Sequence, residues 1–247
     1  TLSSSSAASD VYKRQVFGPV PTIFTGINFY EPILVEGLYN VTGVEEHLDF
    51  GPTFELAFSL QKGDNIWVLG DGTVTAHRNL LLIERALREL GSSRRARIYL
   101  DVTIEDVVGI ADLVSPDDVV FLVASIRDGS GRLLPFDVAG TIVAREMPAP
   151  VFVSWDFFMS TGVLGGKLAS GWEQGRAAGA MTRRVLDGTD IINIPILISS
   201  PNRWIFDENV LDRFDIDRSR LPRGSTIMNE ELSVWRLYRA EIIAVVL

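Results

Sequence analysis

The stretch NIWVLGDGTVTAHRN, residues 65–79, decides the fold class. Ile66-Trp67-Val68-Leu69 is an unbroken apolar run of strand length that stops at Gly70-Asp71-Gly72. Polar Thr73, Thr75, Arg78 and Asn79 follow. A helical stripe then runs from Leu80 to Leu90, apolar at 80, 82, 83, 86, 87 and 90, and Gly91 stops it. An apolar strand running into a glycine-rich turn and a helix is the unit of a parallel α/β sheet. In such sheets ligands sit beyond the carboxyl ends of the strands.

The pattern recurs downstream. Val119–Ala124 runs into Ser125, Arg127 and Asp128, and Val151-Phe152-Val153 runs into Ser154, Trp155 and Asp156. Three strand ends of one sheet are therefore expected to share a rim carrying hydroxyls, acids, an Arg and a Trp.

Other elements read as follows. Strands are expected at Thr22–Asn28, Asn40–Val44, Ala96–Leu100, Gly162–Ser170 and Ile191–Ile198. Helices are expected at Thr53–Leu60, Ile104–Val114, Pro135–Arg145 and Trp172–Leu186. Thr103, with Asp106 three residues on, reads as an N-cap. Gly175, Ala178 and Gly179 form a small-residue face on which something is expected to pack closely.

Composition excludes several classes. A net charge of −9 argues against a nucleic-acid surface. With no cysteine there is no disulfide, thiolate metal site or Cys nucleophile. His47 and His77 are the only histidines, so a His-rich metal site is excluded too. Gly70–Thr75 resembles the start of a dinucleotide fingerprint, but Thr75 stands where the third glycine belongs. Gly165-Gly166-Lys167 is no phosphate loop, because Leu168 replaces the required hydroxyl and Thr161 the first glycine. No G-x-S-x-G elbow accompanies His77. Asp71, Asp128 and Asp156 as a cation site weigh less than the same acids as caps or ligand contacts. Trp155 reads equally as core or as a stacking surface. No cofactor and no metal are expected.

Five segments together carry a resemblance: Asn40–Val44 (NVTGV), Trp67–Gly72 (WVLGDG), Ser154–Phe157 (SWDF), Gly165–Gly171 (GGKLASG) and Ser200–Asp207 (SPNRWIFD). They resemble the ABC transporter substrate-binding family over about Thr22 to Tyr238. The Ser-Pro-Asn-Arg-Trp version, followed by Arg220–Ser225 (RLPRGS), is similar to the form fused to membrane sensors. There the binding domain precedes a membrane helix and a histidine kinase or diguanylate cyclase module.

The resemblance implies an α/β, type 1 periplasmic-binding-protein-like fold, with two lobes of parallel sheet flanked by helices and ligand in the cleft. Residues 16–48 and 171–190 map to lobe 1, 49–170 and 191–207 to lobe 2, and 208–236 to a C-terminal extension. The opening elements of lobe 1, roughly 60–90 residues at the usual size of α/β units, are expected to be missing, which leaves that lobe incomplete. Residues 1–15 read as an artefact. Asp10–Gln15 (DVYKRQ) resembles the translated end of a transposon adapter used in sequencing libraries. Residues 237–247 read as the opening of a truncated membrane helix, with Trp235, Arg236, Tyr238 and Arg239 just before or at its start.

By resemblance, Asn28 contributes from lobe 1, and Asp71, Thr73, Thr75, Ser125, Arg127, Trp155 and Asp156 from lobe 2. Asp156 suits a ligand amine or hydroxyl, and Arg127 a carboxylate. The expected function is extracytoplasmic binding of a small molecule, an amino acid or similar organic solute, without catalysis. The expected partners are a membrane permease or a fused kinase or cyclase module, with no nucleic acid, and the expected place is the periplasm, anchored to the inner membrane. An α/β enzyme acting on a nucleotide or phosphate ester, with Asp71 as base, is the alternative. A structural dimerisation module built on the 172–186 helix is a third.

Overall fold

The computed structural model describes residues 18, 20–91 and 93–230. The leader and the expected membrane segment lie outside the described residues. No described helix is long and apolar enough to cross a membrane.

The chain divides into two compact units. The second comprises Gly51–Val153, Phe157–Gly166 and the described part of Trp204–Leu247. It is built on a seven-stranded sheet formed by β3 (Asn65–Leu69), β4 (Arg95–Tyr99), β5 (Val119–Leu122), β6 (Val151–Phe152), β7 (Gly165–Leu168), β8 (Arg203–Asp207) and β9 (Thr226–Met228), in the order β4-β3-β5-β6-β7-β8-β9. The pairings β4–β3, β3–β5, β5–β6, β6–β7 and β8–β9 are parallel. β5 and β6 are wholly buried, as is β3 beyond Asn65, which is why they read as continuous apolar runs. β4 lies at the edge, and Arg95, Ala96 and Arg97 on it are exposed.

Helices α1 (Phe50–Leu60), α2 (Val74–Glu89), α3 (Ile104–Ala111) and α4 (Phe136–Glu146) alternate with these strands. The core is aromatic and aliphatic. Phe54 packs edge-to-face on Phe121 at 5.0 Å between ring centres. Trp67 is fully buried, and its indole N–H donates to Asp118 at 2.8 Å. Asp118 also accepts from the backbone and side chain of Asn65 and from the backbone of Ser115, so the buried carboxylate is fully used.

The first unit comprises the described part of Thr1–Phe50, with Ser154–Asp156 and Lys167–Arg203. β1 (Thr22–Asn28) and β2 (Val41–Glu46) form a parallel two-stranded sheet, and α5 (Gly171–Leu186) packs against both. Val44, Met181 and Ile194 form its small core. Gly43 is required, since a Cβ there would meet the Phe24 carbonyl oxygen at 2.4 Å.

Several elements differ from the sequence reading. The helix after β3 starts at Val74 rather than Leu80, because Thr73 caps it by accepting from the Ala76 N–H. Residues 191–198 are not a strand. Ile191–Asn193 is a 3-10 turn capped by Asp190, and Leu197 makes a single bridge to Val44. Pro195 has no N–H for a ladder there. The expected strand at 162–170 shortens to β7, with Gly162 and Gly165 at φ of 93° and 118°. Of the small-residue face of α5, Ala178 packs against the Val44–Met181–Ile194 core, but the glycines are open: a Cβ at Gly175 or Gly179 would meet nothing within 4 Å. The helix instead buries Glu173, Gln174 and Met181. The two units also divide the chain differently from the expected lobes. Residues 191–203 fall in the first unit, and the segment from Trp204 through β9 in the second, where β9 extends the sheet.

Candidate functional site

The strand order of the large sheet reverses at β3. From β3 the chain crosses to β4 on one side, then returns to β5 on the other. Loops leaving β3 and β5 therefore diverge, and the crevice between such loops is where open α/β sheets bind ligands. Asp71, Thr73 and Thr75 lie on the first loop and the start of α2, and Ser125 and Arg127 on the second.

Asp71 ties the two loops together. It is buried, and one carboxylate oxygen accepts from the Thr73 N–H at 2.9 Å and the Thr73 hydroxyl at 2.5 Å. The other accepts from the Ser125 N–H at 3.2 Å. The first contact is an Asx turn, which explains why Asp sits between two glycines at a strand end. A Cβ at Gly72 would lie 2.8 Å from an Asp101 carboxylate oxygen, so the Asp101 side chain would have to shift. The Ser125 hydroxyl donates to the Leu134 carbonyl at 2.7 Å. Thr75, by contrast, is exposed in the first turn of α2.

Arg127 is held by its own loop. Its Nε pairs with Asp101, and its Nη1 donates to the Gly131 carbonyl at 2.7 Å. Its backbone bridges both Thr103 and Leu133. The turn beyond it is closed by Asp128, which accepts from the Ser130 hydroxyl and from the backbones of Ser130 and Arg132. The Ser130 hydroxyl bond leads these in holding the Asp128 carboxyl down at about 2.

The remaining candidates belong to the first unit. Asn28 ends β1 and pairs in register with Glu46, which ends β2. The Trp155 indole N–H donates to Glu46 Oε1 at 2.8 Å, so the structure brings Asn28 and Trp155 to the same two strand ends. Trp155 bridges Ala169, and the Asp156 N–H donates to the Ala169 carbonyl at 3.1 Å, which fixes the turn. The Asp156 side chain is half-exposed. Tyr30 stacks on Phe24 nearby, and burial, with the Glu45 charge second, pushes its phenol up. Among the described residues no group of three or more His, Asp or Glu is placed to hold a metal ion. His77 lies exposed on α2, with its Nδ1 2.9 Å from the Thr73 carbonyl.

No family model matches the chain, and no curated protein does. Solved structures match it. A ligand-free, open structure of a substrate-binding protein with adhesive properties from Clostridium difficile is 18% identical, with a TM-score of 0.59, over 92% of this chain and 80% of that one. An ABC domain in complex with L-Trp from Streptococcus pneumonia is 15% identical, with a TM-score of 0.57, over 84% of this chain and 72% of that one. The fold is that of the substrate-binding proteins. A conserved domain protein from Vibrio cholerae O1 biovar El Tor matches it as well, at 15% identity and a TM-score of 0.57, over 90% of this chain and 83% of that one.

On this substrate-binding-protein fold, sequence reasoning finds the β3 and β5 loops but gives no place to Glu46. The only signal in the sequence is the acidic pair Glu45-Glu46 closing a strand. It becomes meaningful only when the parallel register sets Glu46 beside Asn28.

Proposed function

We propose that this chain is a small-molecule binding domain that catalyses nothing, acts outside the cytoplasm, and passes ligand occupancy to an ABC permease or a membrane-bound signalling module. The observation that carries the reading is the likeness of fold to a substrate-binding protein and to an ABC domain in complex with L-Trp. The order reversal between β3 and β5, with polar side chains gathered at it, supports a ligand site there.

Within the set Asn28, Asp71, Thr73, Thr75, Ser125, Arg127, Trp155 and Asp156, the roles divide. In the second unit Asp71, Thr73 and Ser125 hold the loops in shape and Thr75 has an exposed side chain; in the first unit Asn28 and Asp156 are the side chains left to a ligand. The competing reading, an enzyme acting on a nucleotide or phosphate ester with Asp71 as base, is disfavoured by the same geometry. Both Asp71 oxygens already accept from protein donors, so neither stands free to reach a substrate proton.

Calorimetric titration with L-tryptophan, other L-amino acids and small organic acids tests the proposal. The expected result is saturable one-to-one binding that Asp156→Ala abolishes while the melting temperature is kept. Unchanged affinity in Asp156→Ala would sink the site assignment. Turnover of any of these solutes would sink the non-enzymatic reading.

A further inference from the structure

Glu46 is a carboxylate placed with care and left half-used. It is half-buried at the end of β2, opposite Asn28 in the parallel register. One oxygen, Oε1, is fixed by the Trp155 indole N–H at 2.8 Å. Its other oxygen has no hydrogen-bond partner among the described residues, and no described Lys or Arg pairs with Glu46. Asn28 likewise spends no side-chain hydrogen bond on the protein among the described residues. A carboxylate offers about four acceptor sites, and partly burying its charge is costly unless those sites are met.

Three other polar side chains of the same unit spend their bonds on protein partners. Glu173 is buried and takes both Arg176 and Arg203 at 2.7 Å. Gln174 is buried and bonds to Thr25, the Glu45 carbonyl and Ser200. Asp49 takes Lys167 at 2.8 Å. Glu46 differs from these three in keeping one oxygen free of protein donors among the described residues. Because Trp155 fixes its orientation, no side-chain ordering is needed when a donor arrives.

We infer that Glu46 is a ligand-contacting residue and that the ligand carries a primary ammonium, received by Glu46 Oε2 with Asn28 Oδ1 as second acceptor. An ammonium has three N–H donors and a positive charge, and meets both the free acceptors and the uncompensated charge. The inference rests on the solute-binding reading and narrows its substrate class. Trp155 then acts as a positioning residue that aims Glu46.

The test is calorimetry on the full chain with amine-bearing probes and their deamino counterparts: L-tryptophan with indole-3-propionate, L-phenylalanine with 3-phenylpropionate, and L-leucine with 4-methylpentanoate. At least one amine-bearing probe should bind, with its deamino counterpart weaker by about 10–100-fold, as expected for a lost charge-assisted hydrogen bond. Glu46→Gln keeps the size and one acceptor for Trp155. It should weaken the amine-bearing probe about 10-fold or more, leave the deamino probe unchanged and leave the melting temperature unchanged. Trp155→Phe removes the aiming donor and should weaken the amine-bearing probe less than Glu46→Gln does. Equal affinity for amine and deamino probes, or an affinity insensitive to Glu46→Gln, overturns the inference and leaves solute binding standing. Binding of amine-free organic acids alone does the same. If no solute of any class binds, both fail.

Discussion

The Asp71 carboxylate accepts the backbone N–H of Ser125 at 3.2 Å, across the point where the strand order of the large sheet reverses. One buried acid thus ties together the loops that follow β3 and β5. Asp71→Ala leaves the Ser125 and Thr73 N–H groups without their acceptor. It should cost about 2–3 kcal/mol of stability. Hydrogen exchange would show it, as faster exchange at Ser125 and Thr73 with the β5 amides still protected.

Asp118 plays the equivalent part at the opposite end of β3, where it accepts from Trp67, Asn65 and Ser115. It is almost wholly buried, so Asp118→Ala strands the indole N–H and the Asn65 backbone N–H together. A loss of about 3 kcal/mol is expected in chemical denaturation, larger than for Asp71→Ala because more donors are orphaned. A loss below about 1 kcal/mol would mean that water replaces the carboxylate.

Two glycine substitutions should act with opposite signs. A Cβ at Gly165 would lie 2.0 Å from the Ile205 carbonyl oxygen, at a residue with φ of 118°. Gly165→Ala therefore should not yield folded protein. Gly175 lies in α5 with open space around it, so Gly175→Ala should stabilise by roughly 0.5–1 kcal/mol. Thermal melting of the two variants separates the cases.

The turn at 128–132 should respond to acid. Asp128 is held at about 2 in the folded state, below the ordinary value of about 3.9. A depressed carboxylate contributes order above its unfolded value and loses it as pH falls through the folded one. Amide exchange at Ser130 and Arg132, corrected for intrinsic rate, should therefore stay protected above about pH 4 and lose protection as pH approaches about 2. Asp128→Asn should remove this pH dependence. Protection that persists in the variant with the same acid transition would contradict the assignment.

Much of the large sheet is legible in the sequence because its strands are buried on both faces. Ile66–Leu69 and Val119–Leu122 announce themselves as apolar runs stopping at turn residues. Thr103 with Asp106 forms the capping box that its spacing suggests. The α2 start is missed because Val74, Thr75 and Arg78 break the apolar stripe, while the capping hydroxyl of Thr73 outweighs that break. Residues 191–198 mislead because an apolar run containing Pro195 has strand composition without a full set of ladder donors. The site divides in the same way. Strand ends with Asp, Ser and Trp are visible in one dimension. That Asp71 reaches Ser125, or Trp155 reaches Glu46, depends on contacts 54 and 109 residues apart.

The central claim is that the chain binds a small solute and returns it unchanged. Equilibrium dialysis against a mixed library of amino acids, organic acids, nucleosides and sugars, with both compartments analysed by mass spectrometry, tests it most directly. The account predicts retention of one solute class at one molecule per chain, recovered chemically intact. Retention of nothing, or disappearance of a retained solute into a product, would contradict it.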